Sequence, residues 1–152
     1  MFWTAFAGQS PDLGVKGRTL LAEGHGYAYL ATVTADSSPR VHPVAPIIGD
    51  NGLFVAVAHG SPKLADLRRD PRMALHSTVL PPDDEEFSVR GLAREVTGTA
   101  QRSAAATGAA GGAQLSDAMA LFEIDLVEVS WARWEHGRPT RRRWNARTPA
   151  AP

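Results

Sequence analysis

Ser61, Pro62 and Lys63 follow an apolar run, and this order of residue types is suited to binding an anion. The run over 53–58 predicts a strand, so the three residues would turn the chain into a helix. Ser61 suits the N-cap position and Pro62 the first helical position. The free N–H groups of a helix start attract anions, whereas the helix dipole disfavours a cation such as Lys63 there. A bound phosphate would resolve this mismatch; the alternative is a solvated lysine on an ordinary capped helix.

Arg40 is a second cation that the sequence places near this turn. The tight-turn signal over 50–52 predicts that the extended segment 40–48 pairs with the strand before Ser61. That pairing would bring Arg40 close to Ser61 and Lys63. An arginine, a lysine and a helix N-terminus together predict a phosphate pocket; otherwise the three are unrelated surface residues.

Other chemistry has little support in the sequence. The chain contains no cysteine, so disulfides, thiolate catalysis and cysteine-bound metals are excluded. None of the five histidines shows metal-ligand spacing, and we expect no metal site. His42 and His59 flank the predicted pocket. No serine-hydrolase elbow or dinucleotide glycine motif occurs, and the sequence identifies no catalytic acid or base.

The charge balance limits the classes of partner. Lys+Arg and Asp+Glu are 16 each in 152 residues, which argues against a general nucleic-acid or membrane-surface binder. No apolar run approaches a membrane span, and the N-terminus does not resemble a secretory signal. We therefore expect a cytoplasmic location. The short basic stretch from Gly137 predicts contact with an anionic ligand or simple solvation.

The positioning elements are predicted from apolar periodicity and turn residues. We expect short helices over 17–24 and 61–70, strands over 27–34, 40–48, 53–58, 72–79, 87–96 and 121–134, and a poor helix or loop over 101–118. Pro43 and Pro46 place the second strand at an edge or along a ligand. Shifts of alternation predict one bulge near Gly91 and another in the sixth strand.

Six strands joined by tight turns predict a mainly β protein, a small β-barrel forming one domain over 1–152. About 14 N-terminal and about 10 C-terminal residues are expected to be extended tails. A barrel of this size has a filled interior, so a ligand would lie at a rim or a subunit interface. Trp131 and Trp134 face opposite sides of the last strand, which leaves one free to cover a planar ligand or a partner subunit.

Three stretches closely resemble the pyridoxamine 5'-phosphate oxidase-like family of FMN-binding split barrels. They are the segments over 28–33, 39–44 and 61–75, and the last contains a Ser-x-Lys-x-x-x-Leu-x-x-Asp-Pro-Arg run. The resemblance covers about residues 15 to 135 in element order. It implies a six-stranded split barrel with a few short helices.

The resemblance also implies a homodimer with two flavins at its interface. By that likeness, Arg40, Ser61 and Lys63 hold the flavin phosphate. The residues that would line the isoalloxazine ring through backbone groups are Val41, His42, Pro43, Val44, Val57 and Ala58. Trp134 and Arg141 would approach from the other subunit.

The chain departs from the oxidases of this family at three places. Pro62 stands where they carry an arginine, Ala45 stands where they carry a lysine, and their Arg-Leu-x-Pro ending is absent. These differences weigh against pyridoxamine phosphate as the substrate. Relatives with the reduced pattern use FMN, a deazaflavin or haem.

Three functions follow from the resemblance and its departures. We expect a flavin-dependent oxidoreductase that transfers hydride or electrons through non-covalent FMN. A non-catalytic flavin-, deazaflavin- or haem-binding module is the alternative, because no substrate-binding motif is recognisable. A barrel without a ligand that acts as a scaffold is the third possibility.

Overall fold

The computed structural model describes residues 1–24, 26–79, 84–107 and 115–146. Within them lie four α-helices: α1 Trp3–Gln9, α2 Pro11–Arg18, α3 Pro62–Arg69 and α4 Thr99–Thr107. The strands are β1 Ala28–Val33, β2 Pro39–Val44, β3 Pro46–Gly49, β4 Gly52–Ala58, β5 Arg72–Ser77, β6 Glu85–Val96, β7 Met119–Glu135 and β8 Arg138–Asn145. None of these helices is long and apolar enough to cross a membrane.

The eight described strands form one antiparallel sheet in the order β2-β1-β5-β6-β7-β4-β3, with β8 paired to β7. The mainly β fold is confirmed, but the number of six strands is wrong for two reasons. The predicted second strand divides at Ala45, because β2 pairs with β1 whereas β3 pairs with β4. The basic stretch forms β8, which has no buried residue and so lacks an apolar pattern. Pro43 and Pro46 lie on the two edge strands, as predicted.

The two predicted bulges are a single irregularity between β6 and β7. Arg90 pairs with Glu128 and Gly91 pairs with Leu126, so Val127 is the extra residue and it belongs to β7. A Cβ on Gly91 would lie 2.5 Å from the carbonyl oxygen of Asp125. The glycine therefore allows the two strands to approach closely at this point.

The prediction of an extended N-terminal tail is wrong. Helices α1 and α2 occupy it, and Trp3 and Phe6 are almost completely buried. The Trp3 ring contacts that of Phe87, and the Phe6 ring lies 5.0 Å from that of Trp144, centre to centre. We call these four residues the aromatic cluster. At the other end, the predicted tail overlaps β8 up to Asn145, and 147–152 lie outside the described residues.

The predicted helix over 17–24 has different bounds. Helix α2 ends at Arg18 and a π-helical turn over Thr19–Glu23 continues it. Gly24 does not terminate it in a left-handed conformation, since its φ is −64°. The predicted poor helix over 101–118 is α4 in its first part, and 108–114 lie outside the described residues.

Helix α3 is confirmed close to its predicted bounds, and its packing fixes the site. Leu64 and Leu67 are buried against the sheet and anchor the helix. Strand β4 ends at Ala58, three residues before Ser61. The core therefore holds the start of α3 at the rim of the sheet.

Candidate functional site

Ser61 occupies the N-cap position of α3, but its hydroxyl does not cap the helix. The backbone is extended, with φ −87° and ψ 143°, and no side-chain cap hydrogen bond forms. The Oγ atom is buried and has no hydrogen-bond partner among the described residues. A buried hydroxyl without a partner is costly, so its presence requires a reason. A ligand oxygen at the start of α3 would supply the missing partner.

Arg40 reaches α3 by a route that differs from the predicted one. It pairs with Thr32 of β1, whereas only Pro46–Gly49 of the predicted segment pairs with β4. The predicted pairing of Arg40 with the third strand is therefore wrong, because the chain changes partner at Ala45. The Arg40 guanidinium nevertheless lies 3.1 Å from a carboxylate oxygen of Asp66 on α3.

Asp66 is the site residue that the sequence interpretation missed. Its side chain is 4% exposed. The Thr32 hydroxyl donates a 2.9 Å hydrogen bond to it, and Arg69 lies 3.5 Å from its second oxygen. No local pattern signals it, because Asp66 directly precedes Leu67 and adjacent residues of a helix do not share one face.

His42 lies between the two cations of the site. Arg40 and His42 are two residues apart on β2, so their side chains share one face of the strand. Burial lowers the pKa of His42, and the charges of Lys63 and Arg40 lower it further, against an opposing effect of Asp66. Its Nε2 atom is buried without a partner among the described residues. We call Arg40, His42, Ser61, Lys63 and Asp66 the anion corner.

An apolar cavity of about 310 Å³ adjoins the anion corner. Its lining comprises Tyr27, Pro43, Val44, Ala45, Ile47, Ala56, Ala58, Lys63, Leu115 and Met119. Lys63 is the one charged residue among the described residues that form this lining. The arrangement suits a ligand with a flat apolar body and an anionic group at one end.

The predicted ring-lining residues divide between the cavity and its surroundings. Pro43, Val44 and Ala58 line the cavity. Val57 is fully buried in the core, and Val41 is 61% exposed. Val57 and Ala58 are neighbours on β4, so their side chains point to opposite faces of the sheet.

Trp134 and Arg141 lie together but apart from the anion corner. They lie on the two strands of the β7–β8 hairpin, and the Arg141 guanidinium is 5.6 Å from the centre of the Trp134 ring. Neither residue is among the described residues that line the cavity. The sheet register places Pro43 of the lining in line with Ser130 of β7, four residues before Trp134. The opposite faces predicted for Trp131 and Trp134 are confirmed, with exposures of 6% and 40%.

Two other cavities carry no comparable combination of groups. His59 lines a polar one of about 290 Å³ and its ring contacts the carbonyl of Asp117, so it does not face the anion corner. The largest, about 470 Å³, lies between the N-terminus and β8 and is lined by Met1, Gln9, Ser10, Trp144 and Asn145. Neither brings two cations to one point.

Comparison with known proteins identifies one family. The sequence profile described as pyridoxamine 5'-phosphate oxidase matches residues 18–136. A search of curated proteins finds no significant match. The profile match spans β1 to β7 and includes the whole anion corner.

Solved structures show the same fold at low sequence identity. A heme binding protein from Mycobacterium smegmatis is similar with a TM-score of 0.65 and 16% identity over 81% of this chain. This chain spans only 55% of that protein. PhzG from Burkholderia lata 383, in complex with tetrahydrophenazine-1-carboxylic acid, has a TM-score of 0.62 and 16% identity over 97% of this chain and 84% of its own. A protein titled F420 Reductase has a TM-score of 0.54 and 20% identity over 74% of this chain and 94% of its own.

Proposed function

Since this chain belongs to the pyridoxamine 5'-phosphate oxidase family, of the FMN-binding split-barrel superfamily, we propose that it is a flavin-dependent oxidoreductase with non-covalent FMN. FMN would supply hydride or electron transfer, and the protein would supply binding and orientation. The unpartnered Ser61 hydroxyl beside Lys63 and Arg40 carries this proposal. The cytoplasmic location of the protein stays a prediction.

The residues of the anion corner fit the phosphate of FMN. Ser61 and the first N–H groups of α3 can donate hydrogen bonds to phosphate oxygens. Lys63 and Arg40 add two positive charges, and hydrogen bonds between charged groups are the stronger ones. The neighbouring cavity offers apolar side chains of Pro43 and Val44 to a planar ring.

The charges of the cavity lining indicate which class of substrate the protein can bind. Ala45 lines the cavity at the position where the family's oxidases carry a lysine, and Lys63 is the only charged residue in the described part of the lining. Once the cofactor phosphate has engaged Lys63, no second cation is left in that part of the lining for a phosphorylated substrate. We therefore propose a small acceptor other than pyridoxamine phosphate.

We further propose that two copies of the chain complete the site. Tyr29, Val41 and Trp134 are 50%, 61% and 40% exposed on the outer face of the sheet. Trp134 and Arg141 are not among the described residues that line the cavity of their own chain. A second copy on this face would cover the apolar residues and bring the partner hairpin to the flavin. A stable interface of this kind buries at least about 1,200 Å² in total, and sedimentation that shows a flavin-bound monomer would contradict the dimer.

A non-catalytic flavin-, deazaflavin- or haem-binding module is the second candidate. It is supported by the described residues of the cavity lining, which offer no carboxylate or imidazole as a proton donor or acceptor. Among the similar structures, one is titled a heme binding protein and one F420 Reductase. Haem has the weaker support from the site, since no histidine is among the described residues that line the cavity.

The ligand that co-purifies with the protein separates these candidates. The expected result is a flavin absorption spectrum, with FMN recovered in the supernatant after acid precipitation and identified by mass spectrometry. Reduction by NADPH or NADH should be slow until an acceptor is supplied. A haem spectrum, or a bound flavin that no nicotinamide donor reduces, would support the module, and flavin attached to the polypeptide would contradict the non-covalent site.

A further inference from the structure

Asp66 is a buried carboxylate for which the proposed cofactor site gives no direct role. It is 3% exposed and lies on α3 between Lys63 and the end of the helix. An acid at this depth costs stability unless it is paired and hydrogen-bonded. It would also repel a phosphate, so it needs an explanation at the site of an anion.

Three groups fix the orientation of the Asp66 carboxylate. The Thr32 hydroxyl and the Arg40 guanidinium both bind Oδ2, at 2.9 and 3.1 Å. Arg69 lies 3.5 Å from Oδ1 and also donates to the carbonyl of Val33 on β1. The carboxylate is therefore held between one helix and two strands, and it cannot turn away from Arg40.

Arg40 has one charged partner in this network. Its side chain is 37% exposed, and Asp66 is its only ion-pair partner among the described residues. A guanidinium has five N–H donors in a rigid planar fork, so an ion pair at one nitrogen restricts the directions of the others. Without Asp66 the long side chain would be free to extend into solvent.

We propose that Asp66 is a positioning residue that aims Arg40 at the phosphate of the cofactor. This inference rests on the proposed function. The charges of Lys63 and Arg40 both lower the pKa of His42, so both cations lie within electrostatic range of the same ring. Asp66 lowers the total positive charge of the anion corner, but it orients the N–H groups of Arg40 that it does not itself engage.

Asp66 could affect FMN binding through its negative charge or by positioning Arg40. The two roles predict opposite changes of FMN affinity for Asp66→Asn. Removing a negative charge beside a phosphate site should tighten FMN binding if charge alone matters. Releasing Arg40 should loosen FMN binding if position matters. Riboflavin, which lacks the phosphate, should bind equally well to both forms under the positioning role.

The test is titration of apo-protein with FMN and with riboflavin, followed by flavin fluorescence. We expect Asp66→Asn to weaken FMN binding about tenfold, as for one lost hydrogen bond between charged groups, and to leave riboflavin binding unchanged. Tighter FMN binding, or equal losses for the two flavins, would overturn the proposal. Asp70→Asn is the matched control, because it removes another Asp–Arg pair just beyond the end of α3, and both affinities should stay as they are.

A double-mutant cycle shows whether the effect runs through Arg40. In an Arg40→Ala background, Asp66→Asn should cost no further FMN affinity. An equal loss in both backgrounds would overturn the positioning role. Wild-type protein that binds neither flavin refutes the proposed function itself, and the inference is then overturned with it.

Thr32→Val keeps the test valid if Asp66→Asn does not fold. This change keeps the charge of Asp66 and the shape of Thr32 but removes the hydroxyl that holds Oδ2. We expect about a threefold loss of FMN affinity and none of riboflavin affinity. An unfolded Asp66→Asn together with unchanged FMN binding in Thr32→Val would assign Asp66 to stability alone and overturn the proposal.

Discussion

The aromatic cluster and the anion corner are two parts of one fold with opposite packing. In the cluster, Trp3, Phe6 and Phe87 are at most 2% exposed and their rings meet edge to face or tilted. In the corner, Ser61 and His42 each bury a polar atom without a partner. Packing of the first kind lowers the free energy of the folded chain, whereas unsatisfied polar groups raise it. The difference shows that burial adds stability in the aromatic cluster and costs stability at the anion corner.

Unpartnered buried polar atoms are not confined to the anion corner. The indole Nε1 of Trp131 is also buried without a partner among the described residues. The Lys16 ammonium lies 4.2 Å from the centre of the Trp131 ring. A cation over the ring face stabilises the tryptophan without using that nitrogen. In the corner, two such polar atoms stand beside two cations and an open cavity.

Phe87→Ala should have the largest effect on stability. Removing a fully buried aromatic ring is expected to lower the free energy of unfolding by about 3–5 kcal/mol. FMN affinity of the protein that remains folded should not change, because Phe87 does not line the cavity. Chemical denaturation and FMN titration measure the two quantities. Phe2→Ala is the control, since that ring is 42% exposed and its loss should cost far less.

Lys63→Ala should have the reverse pattern. We expect FMN binding to weaken by about 1.5–3 kcal/mol, since a hydrogen bond to a charged group is lost. The free energy of unfolding of the apo-protein should stay within about 0.5 kcal/mol, because the side chain has no ion pair among the described residues. Arg68→Ala on the same helix is the control, as its partner is Glu95. An unchanged dissociation constant for FMN would remove Lys63 from the site.

Ser61→Ala tests whether the Ser61 hydroxyl caps α3 or binds the ligand. Replacing a serine that caps a helix costs about 1 kcal/mol of stability. Here we expect no loss or a small gain in the apo-protein, because the hydroxyl makes no cap hydrogen bond and is buried without a partner. FMN affinity should fall by about 1 kcal/mol. Thermal unfolding with and without FMN gives both values, and a destabilised apo-protein would mean that the hydroxyl caps α3 in solution.

His42→Gln should change the pH dependence of stability. The folded chain lowers the pKa of His42 below its ordinary value of 6.5, so the unfolded chain binds a proton first as the pH falls. Stability is then lost below about pH 6.5, with a slope of at most about 1.4 kcal/mol per pH unit for one proton. Burial lowers the pKa of His42 most, and the charges of Lys63 and Arg40 lower it further against the opposing charge of Asp66. The free energy of unfolding of the wild-type protein should fall more steeply between pH 7.5 and 5 than that of His42→Gln. Parallel curves for the two proteins would contradict the assignment to His42. His76→Gln is the control.

Much of the anion corner could be predicted from local sequence. Ser61, Pro62 and Lys63 lie within one turn, and helix-start chemistry depends on residues that are neighbours in the chain. Arg40 was predicted beside them although the proposed strand pairing was wrong. That pairing depended on where one strand changes partner, and no residue pattern marks Ala45 as the point.

The missed parts depend on distant contacts. Asp66 looks like an ordinary helix residue until Thr32 and Arg40 are brought to it from two strands. Helix α1 is short and contains glycine, so its burial is evident only once Phe87 and Trp144 meet it. Strand β8 carries arginines instead of an apolar alternation, and β7 supplies its hydrogen bonds. Tertiary partners, not local preference, determine all three.

The ratio of the FMN and riboflavin dissociation constants of the unmodified protein tests the central claim most directly. The two ligands share the ring and differ in the phosphate, which the anion corner is proposed to hold. Two hydrogen bonds between charged groups predict that FMN binds at least about 100-fold more tightly. Equal dissociation constants would show that Ser61, Lys63 and Arg40 hold no phosphate, and would contradict the account.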